Sequence, residues 1–203
     1  MKPKLIFATV LASLLLVGCS SNRNSQSSQS SQTSSNQTSH SQSSASSQLS
    51  SQADVSQVKV PVATAIKTYQ QTFADTQITD LSVERELGRN QYEIDGVDDN
   101  QEHTLKLDAN SGNVISKKSE RLDTDEANGA ERREALNLDQ LISLKRAVKM
   151  AQSQAKGQTA TEASIDKENQ QTYWEIQFDH QGRETSVKLN AQTGHLLEVE
   201  HDD

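Results

Sequence analysis

Apolar residues recur at helical spacing in two separate stretches of the chain. Both stretches place apolar side chains three and four residues apart, which puts them on one face of an amphipathic helix. The first face consists of Val62, Ala65, Ile66, Tyr69 and Phe73, and the second of Leu144, Ala147, Val148, Ala151 and Ala155. Pro61 can start the first helix, Ser143 can cap the second, and Gly157 is expected to end the second.

After each helix the spacing of apolar residues changes to two. Alternation of this kind is typical of strands with one buried face. The alternating positions are Tyr92, Ile94, Leu105, Leu107 and Ala109 in the first stretch, and Trp174, Ile176, Phe178, Val187, Leu189 and Ala191 in the second. Fewer residues indicate an earlier strand, namely Ile78, Leu81 and Val83, matched in part by Ala163 and Ile165. The pattern therefore predicts an α+β fold, with one helix packed on an antiparallel sheet in each stretch.

The two stretches are copies of one unit. A shift of 82 residues aligns 62–115 with 144–197 without a gap, and 13 of the 54 aligned positions are identical. The phrase KLDANSG at 106–112 thereby returns as KLNAQTG at 188–194. In this phrase the Leu and Ala belong to the buried face, and Asp or Asn followed by Gly predicts a turn into a last strand.

The turn between the alternating segments determines which residues face each other. If 99–100 and 181–182 are the central turn residues, buried positions face buried positions in both copies. A slip by one residue would turn every apolar side chain outward, so burial selects this register. Asn100 and Gly182 share one turn position, where a positive φ is tolerated.

In this register, charged residues face each other on the polar side of both hairpins. Glu93 faces Lys106, and Glu175 faces Lys188. A repeated Glu and Lys could suggest acid/base chemistry. We interpret them instead as exposed ion pairs worth about 0–1 kcal/mol.

Both copies resemble PepSY domains. The resemblance rests on YEIDG at 92–96 and LDANSGNV at 107–114 in the first copy, and on ISLKRAVKMA at 142–151 and LNAQTGHL at 189–196 in the second. This family is found in propeptides of thermolysin-type metallopeptidases and in small envelope proteins, often lipoproteins. The resemblance implies an α+β fold and a role in binding or restraining peptidases outside the membrane. It supplies no catalytic residues.

The start of the chain has the pattern of a signal peptide. Two lysines precede an apolar run over 5–17, which is too short to span about 30 Å of hydrocarbon. The run leads into Leu16-Val17-Gly18-Cys19, which resembles a bacterial lipobox, where the Cys is lipidated and the peptide is cut just before it. Acyl chains such as palmitate on Cys19 would anchor the protein to a membrane. Because Cys19 is the only cysteine, an internal disulfide is excluded.

Composition adds a second expectation for the N-terminal part. Only 32% of the chain is hydrophobic, which is too polar for one domain of 203 residues. Residues 20–56 are almost entirely Ser, Gln, Asn and Thr, so we expect a flexible tether, or a mere spacer, with an r.m.s. span of about 35 Å. Removal of the leader changes the formal net charge from −8 to −10, and no nucleic-acid footprint is present.

Other candidate chemistry is sparse. Five histidines, which we interpret as solvated, have no second ligand at metal spacing: His40, His103, His180, His195 and His201. The acidic stretches DGVDDN at 95–100 and TDEANGAERREA at 124–135 depart from the calcium-loop pattern. Ten charged side chains at 119–139 predict a solvated connector, with room for one helical turn. No metal site, cofactor or catalytic group is predicted.

These patterns together predict a lipid-anchored extracytoplasmic protein with two PepSY-like modules. The expected organisation is a signal peptide at 1–18, a tether at 19–56, a first domain at 57–118, a connector at 119–138 and a second domain at 139–203. The predicted function is to bind an extracytoplasmic peptidase and to inhibit or modulate it. The alternative is a scaffold or sensory module of the envelope that does not inhibit its partner. The partners are thus a membrane, through Cys19, and a protein.

Overall fold

The computed structural model describes residues 54–124 and 126–202. The predicted leader, the Leu16-Val17-Gly18-Cys19 motif and the tether up to residue 53 lie outside these residues. The described residues form two α-helices and eight strands, in the same order in each repeat. The first repeat contains α1 (Val62–Thr72), β1 (Gln77–Glu86), β2 (Arg89–Val97), β3 (Gln101–Asp108) and β4 (Val114–Arg121). The second contains α2 (Leu144–Ala151), β5 (Thr159–Glu168), β6 (Gln171–His180), β7 (Arg183–Asn190) and β8 (Leu196–Asp202).

The predicted register of both hairpins is confirmed. In the first repeat Tyr92 pairs with Leu107 and Ile94 with Leu105. The second repeat pairs its own residues in the same way, with Trp174 opposite Leu189, Ile176 opposite Val187 and Glu175 opposite Lys188. This is the pairing that burial of one face selects once the turn positions are given.

The two repeats form one continuous sheet. Its strand order is β4-β3-β2-β1-β5-β6-β7-β8, and every neighbouring pair is antiparallel. At the junction Leu81 pairs with Ile165, Ser82 with Ser164 and Val83 with Ala163. Ser82 and Ser164 are themselves 82 residues apart, so equivalent residues meet there. The repeats are therefore related by an approximate two-fold axis through this serine pair.

Both helices pack on the same face of this sheet. The buried apolar side chains of α1, α2 and the strands form one cluster that spans the two repeats. The opposite face carries the polar residues of each alternating strand. A shared core that is closed within residues 54–202 is the property of a unit that can fold by itself. Neither α-helix in the described part of the chain has the length and hydrophobicity needed to span a membrane.

Two of the three predicted helix ends are confirmed, and one is wrong. Pro61 occupies the N-cap position of α1, and the Ser143 hydroxyl accepts a hydrogen bond from the Arg146 N–H at the start of α2. The expectation that Gly157 ends the second helix is wrong, because α2 already ends at Ala151 and turns follow it. Ala155 is nevertheless buried, as the pattern predicted, although it lies beyond the helix.

The turns of the two hairpins differ in conformation. Gln181 and Gly182 both have positive φ, of 57° and 82°, as a tight two-residue turn requires. Asn100 does not adopt the positive φ that it could tolerate. The Asp98 carboxylate instead accepts hydrogen bonds from the N–H groups of Asn100 and Gln101, at 2.7 and 2.8 Å. This bonding also lowers the Asp98 pKa. A side chain therefore stabilises in the first repeat what a glycine permits in the second.

Candidate protein-binding surfaces

The repeated phrase forms the same side-chain turn in both repeats. The Asp108 carboxylate accepts hydrogen bonds from the N–H groups of Asn110 and Ser111 and from the Ser111 hydroxyl. Its counterpart Asn190 accepts the equivalent three bonds from Gln192 and Thr193. Short side chains that bond to the backbone two and three residues ahead stabilise turns of this type. The phrase is repeated because each repeat needs this turn to begin its outermost strand.

The segments that lead into the two helices are held by equivalent contacts. The Tyr92 hydroxyl donates to the Val60 carbonyl at 2.7 Å, and the Trp174 indole N–H donates to the Ile142 carbonyl at 3.2 Å. Tyr92 corresponds to Trp174, and Val60 to Ile142, under the 82-residue shift. Both rings are fully buried. In each repeat, one buried aromatic side chain thus holds the segment that precedes the helix.

A groove lies between these two segments, on the helical side of the sheet. Its volume is 770 Å³, and its walls come from both repeats, including Val60, Pro61, Ile66, Leu141 and Leu144. Lys59 and Lys145 also belong to its lining. Because neither repeat could form this groove alone, it is a product of the junction between β1 and β5.

The opposite face of the sheet is acidic near the two-fold axis. Glu84 pairs with Glu162 across the junction. Burial, together with the charges of Glu84, Glu175 and Asp166, raises the pKa of Glu162 to about 7. Burial followed by neighbouring acidic charges also raises the pKa of Glu84. The acids behind the Glu84 shift are Glu86 and Glu93, whereas Glu84 itself disfavours ionisation of Glu162. This face therefore holds less negative charge in mildly acidic solution.

The predicted ion pairs form in one repeat and not in the other. Lys106 lies 2.9 Å from Glu93, as predicted, and 3.2 Å from Glu86. Glu175 and Lys188 face each other, but the prediction that they form an ion pair is wrong. The Lys188 ammonium lies 2.8 Å from Glu198, and the Glu175 carboxylate accepts from the Ser186 hydroxyl at 2.6 Å. The side chains are also partly shielded, with Glu93 and Lys106 about one quarter exposed.

The expectation that His103 is solvated is wrong. His103 is 7% exposed, because it lies on the core face of β3. Its Nδ1 lies 2.8 Å from the Ser119 hydroxyl and its Nε2 lies 3.1 Å from the Asp98 carboxylate. Its ring also packs on Phe73, with the centroids 4.7 Å apart.

His103 thus bridges Ser119 and Asp98, and the second repeat has a related bridge at the same place. There Thr185 stands in place of His103, and His201 in place of Ser119, and the two side chains are again within hydrogen-bond distance, at 3.1 Å. The bridge between the last two strands is therefore retained with its partners exchanged. The acidic residue is not retained, since His180 stands in place of Asp98. Of the other predicted histidines, His180, His195 and His201 are exposed. His40 lies outside the described residues.

The two edges of the sheet carry exposed apolar side chains. Within residues 54–124 and 126–202, β4 pairs with β3 alone, and β8 pairs with β7 alone. Each edge strand begins with two apolar residues, Val114-Ile115 and Leu196-Leu197, that are 40–51% exposed. An unpaired strand edge can hydrogen-bond an extended segment of a partner. The edges are thus two candidate docking sites at corresponding positions, one in each repeat.

The chain belongs to the PepSY family. The family model described as "Peptidase propeptide and YPEB domain" matches residues 59–118 and 141–200, which are two tandem copies of the domain. The resemblance that the sequence suggested is thereby confirmed, together with the α+β fold.

Solved structures supply a further likeness. The crystal structure of a protein described as a candidate lipoprotein, from Clostridium difficile 630, is 33% identical, with a TM-score of 0.70. The match covers 73% of this chain and 99% of that one. YpmB protein from Bacillus subtilis is 15% identical over 68% of this chain and 95% of that one, and its TM-score of 0.30 is too low to support an argument. A comparison with proteins of curated function finds no match.

Proposed function

We propose that this protein is a non-catalytic lipoprotein on the extracytoplasmic side of the membrane, where it binds peptidases and lowers their activity. The observation that carries the proposal is the match of both repeats to a domain of peptidase propeptides. Propeptide modules act by binding a peptidase, so a protein built from two of them is suited to the same task. The alternative is a scaffold or sensor that binds without inhibition.

The proposed docking sites are the free edges of β4 and β8. A segment of the peptidase in extended conformation would add to the sheet through backbone hydrogen bonds. The exposed pairs Val114-Ile115 and Leu196-Leu197 would supply apolar contact beside those bonds. Since each repeat has one such edge, two contacts on one chain would strengthen each other through effective concentration.

Titration of residues 20–203 against extracytoplasmic peptidases tests this function. We expect binding in a calorimeter and a falling turnover of a peptide substrate, without rapid cleavage of the added protein. Ile115→Asp with Leu197→Asp should weaken both effects. The matched control is Leu87→Asp, since Leu87 is 92% exposed at the β1–β2 turn and away from both edges. Binding with unaltered turnover would support the scaffold, and binding to no peptidase would refute the inhibitor.

The proposed anchor is the lipid on Cys19, which follows Leu16, Val17 and Gly18. Two acyl chains on this residue would be sufficient for stable attachment, at about 0.8 kcal/mol for each buried CH₂. Cys19→Ala should release the protein from the membrane fraction or leave its leader uncut. Cys19→Ala protein that is processed and still partitions to the membrane as before would contradict the anchor.

A further inference from the structure

The two free edges of the sheet carry opposite charge. β4 contains Lys117, Lys118 and Arg121 with a single acid, Glu120, which gives it a formal charge of +2. β8 contains Glu198, Glu200 and Asp202 and no Lys or Arg, which gives it a formal charge of −3. All of these charged side chains are exposed. The 82-residue shift superposes the two strands, so the repeats have kept the position of the edge while reversing its charge.

The orientation of the strands allows the two edges to meet between copies. Because all seven neighbouring pairs of the sheet are antiparallel, β4 and β8 run in opposite directions. A second copy placed in the same orientation beside the first would therefore set its β4 antiparallel to the β8 of its neighbour. Such a contact continues the ladder of the sheet and keeps the helices of both copies on one side. Pairing of β4 with β4, or of β8 with β8, would bring like charges together, which is unfavourable across paired strands.

We infer that the β4 edge of one molecule docks on the β8 edge of a second copy of the same chain. The contact is head-to-tail, so each pair of molecules still exposes one β4 and one β8 and can add further copies or close into a ring. Exposed like charges on edge strands are a usual protection against uncontrolled pairing. Here they exclude the like pairings and favour the mixed one. The inference does not depend on peptidase binding.

Charge exchange between the two edges tests this contact. Residues 20–203 contain the closed core and no cysteine, so they can be studied without disulfide artefacts. We expect their weight-average mass in sedimentation equilibrium to rise with concentration. Lys117→Glu with Lys118→Glu makes both edges acidic, and Glu200→Lys with Asp202→Lys makes both edges basic. Each of these variants should weaken self-association by about tenfold or more.

Two further samples separate edge pairing from a general effect of charge: a mixture of the two variants, and one chain that carries all four substitutions. The acidic-edge and basic-edge variants, which fail to associate separately, should associate when they are combined. The chain with all four substitutions has its original net charge and exchanged edges, so its association should return to that of the unmodified chain. Circular dichroism and urea unfolding of each variant report whether it is folded. A chain that stays monomeric at all concentrations, or variants that associate as the unmodified chain does, would overturn the inference.

Discussion

The two repeats fill the same place in their cores from opposite sides. In the first repeat the aromatic ring comes from the helix, as Tyr69, and the facing strand position is Gly96. In the second repeat the helix position is Ala151 and the strand position is Phe178, each 82 residues later. A Cβ on Gly96 would lie only 2.5 Å from the Tyr69 hydroxyl and from the Gln77 carbonyl oxygen. A ring on one side therefore requires a small residue on the other.

This exchange shows one way in which the repeats differ in sequence although their strand pairing is equivalent. Protein interiors are closely packed, so the total side-chain volume at a site is conserved more strictly than which residue supplies it. The His103 with Ser119 bridge and the Thr185 with His201 bridge follow the same principle for polar groups. The comparison predicts that substitutions will be tolerated in compensating pairs and not singly.

The largest effect is expected at the aromatic that secures the second repeat. Trp174→Ala should lower the free energy of unfolding by about 3–5 kcal/mol, because it empties a fully buried site and leaves the Ile142 carbonyl without its donor. Since β1 and β5 join the repeats, the loss should appear in a single unfolding transition of the whole domain. Urea unfolding followed by circular dichroism measures it. Trp174→Phe is the control, and it should cost less because it retains most of the volume.

Two transitions, with the first repeat still folded after the second has melted, would contradict the shared core. Independent repeats would leave Tyr92 and its neighbours on β2 protected from hydrogen exchange in the Trp174→Ala variant. We expect these amides to lose protection together with those of β6.

The sequence predicted the interior of each repeat better than the junction between them. Alternation fixed the pairing of Tyr92 with Leu107 and of Trp174 with Leu189, because a slip would expose every apolar side chain. The β1–β5 pairing connects segments with no turn between them, and no local signal reports it. The groove and the acidic face both arise at this junction, so they could not be predicted either. The environment of His103 depended on its place at the end of an alternating row, which extends one pair further than the apolar residues suggest.

Moving the aromatic ring of the second repeat from the strand to the helix tests whether the two positions share one space in the core. Phe178→Gly alone should cost about 3–5 kcal/mol as a cavity, and Ala151→Tyr alone about 1–3 kcal/mol through overpacking. The double variant reproduces the arrangement of the first repeat, so its cost should be smaller than the sum of the single costs by about 1–3 kcal/mol. Chemical denaturation of the four proteins gives this coupling. Strict additivity would mean that the two positions do not share one space.

The acidic face of the sheet, opposite the helices, is expected to make the stability of the protein depend on pH. Burial first, and then the charges of Glu84, Glu175 and Asp166, raise the pKa of Glu162 from 4.5 to about 7 in the folded protein. Between these two values the folded state binds more protons than the unfolded state, so this group's contribution to stability is full below about pH 4.5 and is lost as the pH rises to about 7. Glu162→Gln should remove this slope and stabilise the protein by about 1–3 kcal/mol above pH 7.

Thermal unfolding as a function of pH measures this slope. Glu84→Gln should act in the same direction, since the pKa of Glu84 is also raised by burial and by nearby acids. Glu168→Gln is the matched control on the same strand, because Glu168 is exposed. A Glu162→Gln variant with an unchanged pH profile would show that the pKa of Glu162 is not raised in the folded protein.

The smallest effects are expected at the ion pairs, where the repeats again differ. A double-mutant cycle on Glu93 and Lys106 should give a coupling of about 0.2–1 kcal/mol, because their charged groups lie 2.9 Å apart and are only partly exposed. The same cycle on Glu175 and Lys188 should give less, since these side chains bond to Ser186 and Glu198 instead. Both cycles use substitutions to Gln and Met, which keep the side chains long, and both are read from urea unfolding. A coupling at Glu175 and Lys188 equal to that at Glu93 and Lys106 would mean that facing position alone, and not contact, determines the interaction. A cost above that of Trp174→Ala at either pair would contradict the assignment of the two faces of the sheet.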